Sequence, residues 1–288
     1  MVLAVTSLSA YIRLSKAGLG CADWPQCYAQ SLRQAQRGVA PVATEPATTA
    51  LARAAHRVVA LLALVLVVLM VMVCFGARPV WRAEGSLAVG LLALVVFLAV
   101  LGRWSGGAPV PAVTIGNLLA GFSMVALSLR LAMTGRPLPA VHLRAWSGVA
   151  ALLLLTQVAL GGLISASRAG LSCVDWAGCL AAARNIGWAT LDPWRHPVLS
   201  ASAPFNPDGA LAQWLHRSVA LGLALLLPLL AAMAWRRGRR RSAAALLVVL
   251  AAQLAVGLAM VQTALPLGLA LLHNALAACL LAALVLLI

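Results

Sequence analysis

Three histidines and two pairs of cysteines are the residues of this chain whose types and spacing suit chemistry. His56 and His216 each stand near the start of an apolar stretch and each is followed by an arginine, in "AAHRVVALLALVL" and "WLHRSVALGLALLL". His273 stands two turns into another, in "LLHNALAACLL". An ionisable side chain inside an apolar span is costly and marks a site. Two imidazoles on neighbouring helices, with no thiolate or carboxylate beside them, suit the axial positions of a haem iron, whereas zinc wants more ligands. His216 and His273 form such a pair. Arg217 and Arg57 stand beside their histidines, where a guanidinium can fork to a haem propionate. His56 has no histidine partner: Asn117 takes the place that corresponds to His273, and asparagine is a poor iron ligand. A haem on His56 is therefore expected to have one axial histidine and an open or weakly filled sixth position.

The cysteines come in two loops that read nearly alike, "GLGCADWPQCYAQ" and "GLSCVDWAGCLAA". In an oxidising outer compartment a disulfide within each loop is the default, Cys21 with Cys27 and Cys173 with Cys179. Zinc is disfavoured because each loop has two thiols and no nearby histidine. A structural bond and a redox-active one both remain open. Trp24 and Trp176 suit interface depth, so each loop is expected to close the outer mouth of a helix bundle. Cys74 and Cys279 lie within spans and read as small buried residues. His142 and His196 have no counterpart in the other half and read as solvated or interfacial. Gln157 and Gln253, in "TQVALGG" and "AQLAVGL", read as bridges between helices, with Phe97 at the related place in the third helix. The glycines of "IGNLLAG" suggest close approach of backbone to backbone or to a flat ligand.

The elements that must position these residues are helices in lipid. Of the 288 residues 63% are hydrophobic and 9% charged, against about 25% charged in soluble domains. Seven stretches are long enough to span a bilayer, at about 52–75, 85–103, 111–132, 145–166, 210–234, 242–263 and 266–288. Residues 1–12 are too short to span alone and lack a basic segment ahead of them, so they read as the outer part of a first helix whose start lies outside this chain. Strands are excluded because the stretches show no alternation. The net charge of +15 comes from arginines clustered between apolar stretches, which suits topology and anionic headgroups rather than nucleic acid. The run Arg236, Arg237, Arg239, Arg240 and Arg241 marks a cytoplasmic loop, which puts both cysteine loops on the outer face of a bacterial-type inner membrane. The segment from Gln30 to Thr49, rich in alanine, proline and glutamine, is expected to have little structure.

The chain reads as one unit written twice. "IRLSKAGLGC" matches "ISASRAGLSC", the two His-Arg openings match, and "VTIGNLLAGFSMVAL" lines up with "LGLALLHNALAACLLAAL", in the same order and with offsets that drift by only a few residues. The expected fold is an all-α integral membrane protein: an eight-helix bundle of two tandem four-helix repeats, at 1–135 and 136–288, with the first helix truncated.

These residues together resemble the haem A synthase family of membrane cytochrome-oxidase assembly enzymes. The resemblance rests on "RLSKAGLGCADWPQC", the His-Arg openings at His56 and His216, the "VT" that enters the fourth helix, "QVALGGL" and His273, and it covers nearly the whole chain. It implies a pseudo-twofold bundle that oxidises a methyl group of haem O to the formyl of haem A with oxygen. It implies haem b between His216 and His273 in the second half, and the substrate haem facing His56 in the first, with Asn117 beside an open pocket as a candidate catalytic position. Haem O synthase and oxidase assembly factors are the partners it implies, together with an electron donor. Two departures fall in the first half. The family has a histidine where Asn117 stands, and a glutamate three residues before the first His-Arg, where this chain has Arg53, which cannot accept a proton. A non-enzymatic haem-binding assembly or electron-transfer protein is the alternative.

Overall fold

The computed structural model describes residues 1–19, 21, 23–28, 30, 33–34, 37–38, 46–105, 110–173, 175–199 and 206–288. The described residues form nine α-helices and two short 3-10 turns, with no strand among them. They are α1 (Val2–Lys16), α2 (Ala47–Gly76), α3 (Arg82–Ser105), α4 (Pro111–Ala132), α5 (Val141–Ala166), the short α6 (Trp176–Ala183), α7 (Ala210–Arg236), α8 (Arg240–Gln262) and α9 (Leu267–Val285). Seven of these, all but α1 and α6, are long and apolar enough to cross a membrane. With no water in the hydrocarbon, each amide must be satisfied within its own helix, and uninterrupted helices do this.

Proline supplies much of the punctuation. Pro46 and Pro266 sit at the N-caps of α2 and α9, and Pro111 opens α4. A missing N–H costs nothing in a first helical turn. This also corrects one expectation. Ala47–Thr49 belong to α2 and Thr49 is buried, because Pro46 starts the helix and the alanine-rich "ATTALARAA" propagates it. Most of the remaining segment between Gln30 and Pro46, expected to have little structure, lies outside the described residues.

The helices pack in a regular order. α1 lies on α2, α2 on α3, α3 on α4, and α4 returns to α1. α5 lies on α7, α7 on α8, α8 on α9, and α9 returns to α5. The two groups meet through α4 against α5, α1 against α9, and α4 against α9. The largest buried cluster joins Phe122 of α4 to Leu154 of α5, Leu227 of α7, Leu246 of α8 and Leu284 of α9. A smaller one joins Val67, Leu91, Val95 and Met124 of α2, α3 and α4. Between these cores and the cysteine loops run the helix segments that carry the three histidines.

Candidate functional site

His216, on the second turn of α7, and His273, on the second turn of α9, project where neighbouring helices carry glycine. A Cβ added to Gly161 of α5 would stand 3.2 Å from Cε1 of His216. One added to Gly257 of α8 would stand 3.2 Å from Cε1 of His273 and 3.4 Å from its Nδ1. Each ring thus lies against helix backbone that only glycine exposes. Nδ1 of His216 and Nδ1 of His273 are both buried with no hydrogen-bond partner. Buried ring nitrogens without a partner are unusual in a finished core. Gln253, one turn before Gly257, donates through Nε2 to Nε2 of His273 at 3.3 Å. Gln157, one turn before Gly161, leaves its Oε1 buried and unpaired, as does Gln253. Gln253 therefore reaches a histidine across the helix interface.

The sequence reading missed Gly161 and Gly257. The signal was present: both apolar segments carry glutamine and, one helical turn later, glycine, which puts the two on one face.

The second cysteine loop is tied down over this site by α7. Gln213, 6% exposed, donates through Nε2 to the carbonyls of Ala169 (3.0 Å) and Gly170 (2.8 Å). Arg217, one turn further on, donates through Nη2 to the carbonyl of Cys173 at 3.2 Å. Cys173 is joined to Cys179 and Cys21 to Cys27 by disulfides. The two loops share a local geometry. The amide of Cys27 donates to the carbonyl of Asp23 at 3.2 Å, and that of Cys179 to the carbonyl of Asp175 at 3.1 Å. Asp175 also accepts from the amide of Gly178 and so caps α6. Tyr28, 2% exposed, packs its ring 5.2 Å from that of Trp24, and burial raises its phenol pKa. Gly18, at φ +95°, makes the turn from α1 into the first loop, and a Cβ there would meet the carbonyl oxygen of Cys27 at 3.0 Å.

The first half is built differently. His56 is half-buried on α2, and Arg57 beside it is exposed. Among the described residues neither His56 nor Asn117 makes a side-chain hydrogen bond or ion pair. Beside Asn117, a Cβ on Gly116 would stand 3.2 Å from Cδ2 of Leu101 and 3.9 Å from Cζ of Phe97. The α3–α4 contact there is filled by apolar side chains. His142 and His196 are both exposed. Cys74 is buried and Cys279 partly buried, both as free thiols.

Among the described residues no three of histidine, cysteine, aspartate and glutamate gather as a metal site. A closed tetrahedral metal site therefore lacks ligands. A haem iron asks the protein for no more than two axial donors, and the macrocycle supplies the rest. Two half-buried imidazoles, each held against a bare helix turn, could supply those donors.

A multi-pass helical membrane protein with two half-buried histidines near one end of its spans is the class that fold and site define. The family model for cytochrome oxidase assembly protein, COX15-CtaA, matches residues 1–285. The heme A synthase of Shewanella oneidensis is 31% identical, in an alignment covering 98% of this chain and 91% of that protein. The chain belongs to this family of cytochrome oxidase assembly proteins.

Proposed function

We propose that this chain is a haem A synthase, an oxidoreductase that converts a methyl group of haem O to the formyl of haem A for cytochrome oxidase. The observation that carries this is the pair His216 and His273, each ring against a glycine of the adjacent helix with a buried, unpartnered nitrogen, in a chain this similar to a heme A synthase.

The reading divides the chain into two tandem four-helix repeats, 1–135 and 136–288. Their matching helix contacts support this, with α1, α2, α3 and α4 answering to α5, α7, α8 and α9. So does the hydrogen bond from Nη1 of Arg13 to Oγ of Ser165, since these residues fall opposite each other when the cysteine loops are aligned. The orientation follows from the arginine run at 236–241, with the cysteine loops on the outer face of a bacterial inner membrane.

When bound, haem b supplies a one-electron redox centre and haem O the methyl group that oxygen oxidises. The residues of this chain do the rest. His216 and His273 would hold haem b, and Gly161 and Gly257 leave room for their rings. Gln253 donates to Nε2 of His273 and orients its ring. Arg217 ties down the second cysteine loop through the carbonyl of Cys173, and Arg217 and Arg57 would fork to haem propionates.

In the first half His56 faces the substrate haem alone. At the places of Gln253, Gly257 and His273 stand Phe97, Leu101 and Asn117. Two bulky apolar side chains fill the space that His273 uses in the second half, so a ring on α4 could not seat there in the same way. That asymmetry suits a substrate haem that His56 alone would hold, with Asn117 lining the side that oxygen would reach. Arg53, with donors only, takes no proton in this step.

The test is expression in a host that makes haem O but not haem A, followed by extraction of haem from the purified protein and identification by mass. Formyl haem that disappears on His56→Ala is expected. Haem b alone, lost on His216→Ala, would refute the synthase reading and leave a one-haem assembly or electron-transfer protein.

A further inference from the structure

At the membrane boundary opposite the cysteine loops, a cavity of about 170 Å³ lies where the ends of α4 and α9 meet the start of α8. Its lining carries three arginines and no acidic side chain. Arg130 comes from the last turn of α4, Arg136 from the turn that follows, and Arg239 from the residue that caps α8. Ser242, in the first turn of α8, adds a hydroxyl, and Met133 and Leu138 add apolar surface.

Arg239 is held firmly. It donates through Nη2 to the carbonyl of Pro137 at 3.1 Å and through Nη1 to the carbonyl of Leu286 at 3.4 Å. It thereby pins the turn after α4 to the end of α9 and fixes one wall of the cavity. The start of α8 has no side-chain cap and no acidic residue in its first turn, so amide donors and the positive end of the helix dipole add to the same corner. Three like charges around one cavity outnumber the single carboxylate of Ile288 that also lines it, and a further anion placed among them relieves the remaining repulsion. A tetrahedral oxyanion matches guanidinium forks. The location, at the ends of spanning helices and beside apolar side chains, is headgroup depth.

We propose that this cavity binds an anionic phosphate group, supplied by the headgroup of an anionic phospholipid. The site lies at the far end of the bundle from the histidines and does not depend on the proposed reaction.

The experiment uses the full chain, purified, stripped of lipid and reconstituted in phosphatidylcholine nanodiscs with added phosphatidylglycerol, bound lipid being counted by native mass spectrometry. One phosphatidylglycerol per chain is expected to survive release from the nanodisc. Its retention should fall at least about tenfold in the Arg130→Gln/Arg136→Gln variant, in line with the loss of charge-assisted bonds. The Arg236→Gln/Arg237→Gln variant removes equal charge from exposed positions outside the cavity and should retain the lipid. Inorganic phosphate is the second probe. If it alone raises the melting temperature of wild type, and not of Arg130→Gln/Arg136→Gln, the cavity takes free phosphate, which upholds the phosphate chemistry and overturns the lipid source. Equal loss in both double variants, or no retained lipid and no response to phosphate, overturns the proposal. A phosphatidylglycerol with a photoreactive headgroup makes the same test on wild type without any variant: labelling within residues 130–139 is expected, and labelling only elsewhere refutes the site.

Discussion

Gly257 is the most direct test of how the histidine pair is held. Its replacement by alanine puts a Cβ 3.2 Å from Cε1 and 3.4 Å from Nδ1 of His273. Ordinary carbon contacts are optimal at about 3.5–4.0 Å, so the ring must retreat by a few tenths of an ångström. Metal–ligand distances are held to about 0.2 Å, and such a retreat reaches that limit. The helix itself gains, since alanine is favoured over glycine by about 1 kcal/mol in a helix interior. The expected result is therefore a split: a protein as stable as wild type or slightly more so, with haem retention reduced several-fold. Gly257→Leu installs the residue that the first half carries at the corresponding place, Leu101. Its side chain fills the ring's position outright. It should abolish the low-spin spectrum of a haem with two axial histidines, while overpacking costs about 1–3 kcal/mol of stability. The assay is the visible spectrum and haem content of the purified protein, with a thermal melt alongside. Full haem content with an unchanged low-spin spectrum in Gly257→Leu would refute the argument that glycine seats His273.

Other perturbations bear on the loops. Gln213→Ala removes one donor from the carbonyl of Gly170 and one from that of Ala169, which keeps the amide and hydroxyl of Ser172, and should cost about 0.5–1.5 kcal/mol in a denaturant or thermal melt; no change would show the second loop to be held by other contacts. Cys173→Ser/Cys179→Ser opens a loop with a sequence separation of 6, which the chain-entropy account values at roughly 2 kcal/mol. If the bond is structural only, haem retention under oxidising conditions should follow stability alone, and activity lost beyond that points to thiol cycling. Burial raises the pKa of the Tyr28 phenol. The folded protein then keeps the proton where the unfolded chain, with an ordinary value of about 10, releases it. The stabilisation is complete below about pH 10 and is lost as pH rises through the folded value. A melt series above pH 10 should show this steepening loss, and Tyr28→Phe should remove it.

The seven spanning helices were legible in the sequence because lipid imposes a blunt requirement: about 20 apolar residues with no interruption. Residues 52–75 and 210–234 were expected, and Ala47–Gly76 and Ala210–Arg236 are observed. The misjudged boundary at Ala47–Thr49 came from weighing overall composition above the local start signal of Pro46. His216 and His273 announced themselves because a titratable group is rare and costly in such segments, and the cysteine pairs because they recur in matching sentences of sequence. The chain by itself thus determined its solvent, its helices and the residues that are candidates for a site, since each of these follows from local composition. Only the tertiary structure decided that Gly161 and Gly257 lie beneath the imidazoles, that Gln253 reaches His273, that Gln213 and Arg217 tie down the second cysteine loop, and that Arg130, Arg136 and Arg239 share one cavity. Those relations join residues on different helices, and helix periodicity specifies which face a residue occupies but not which neighbour meets that face.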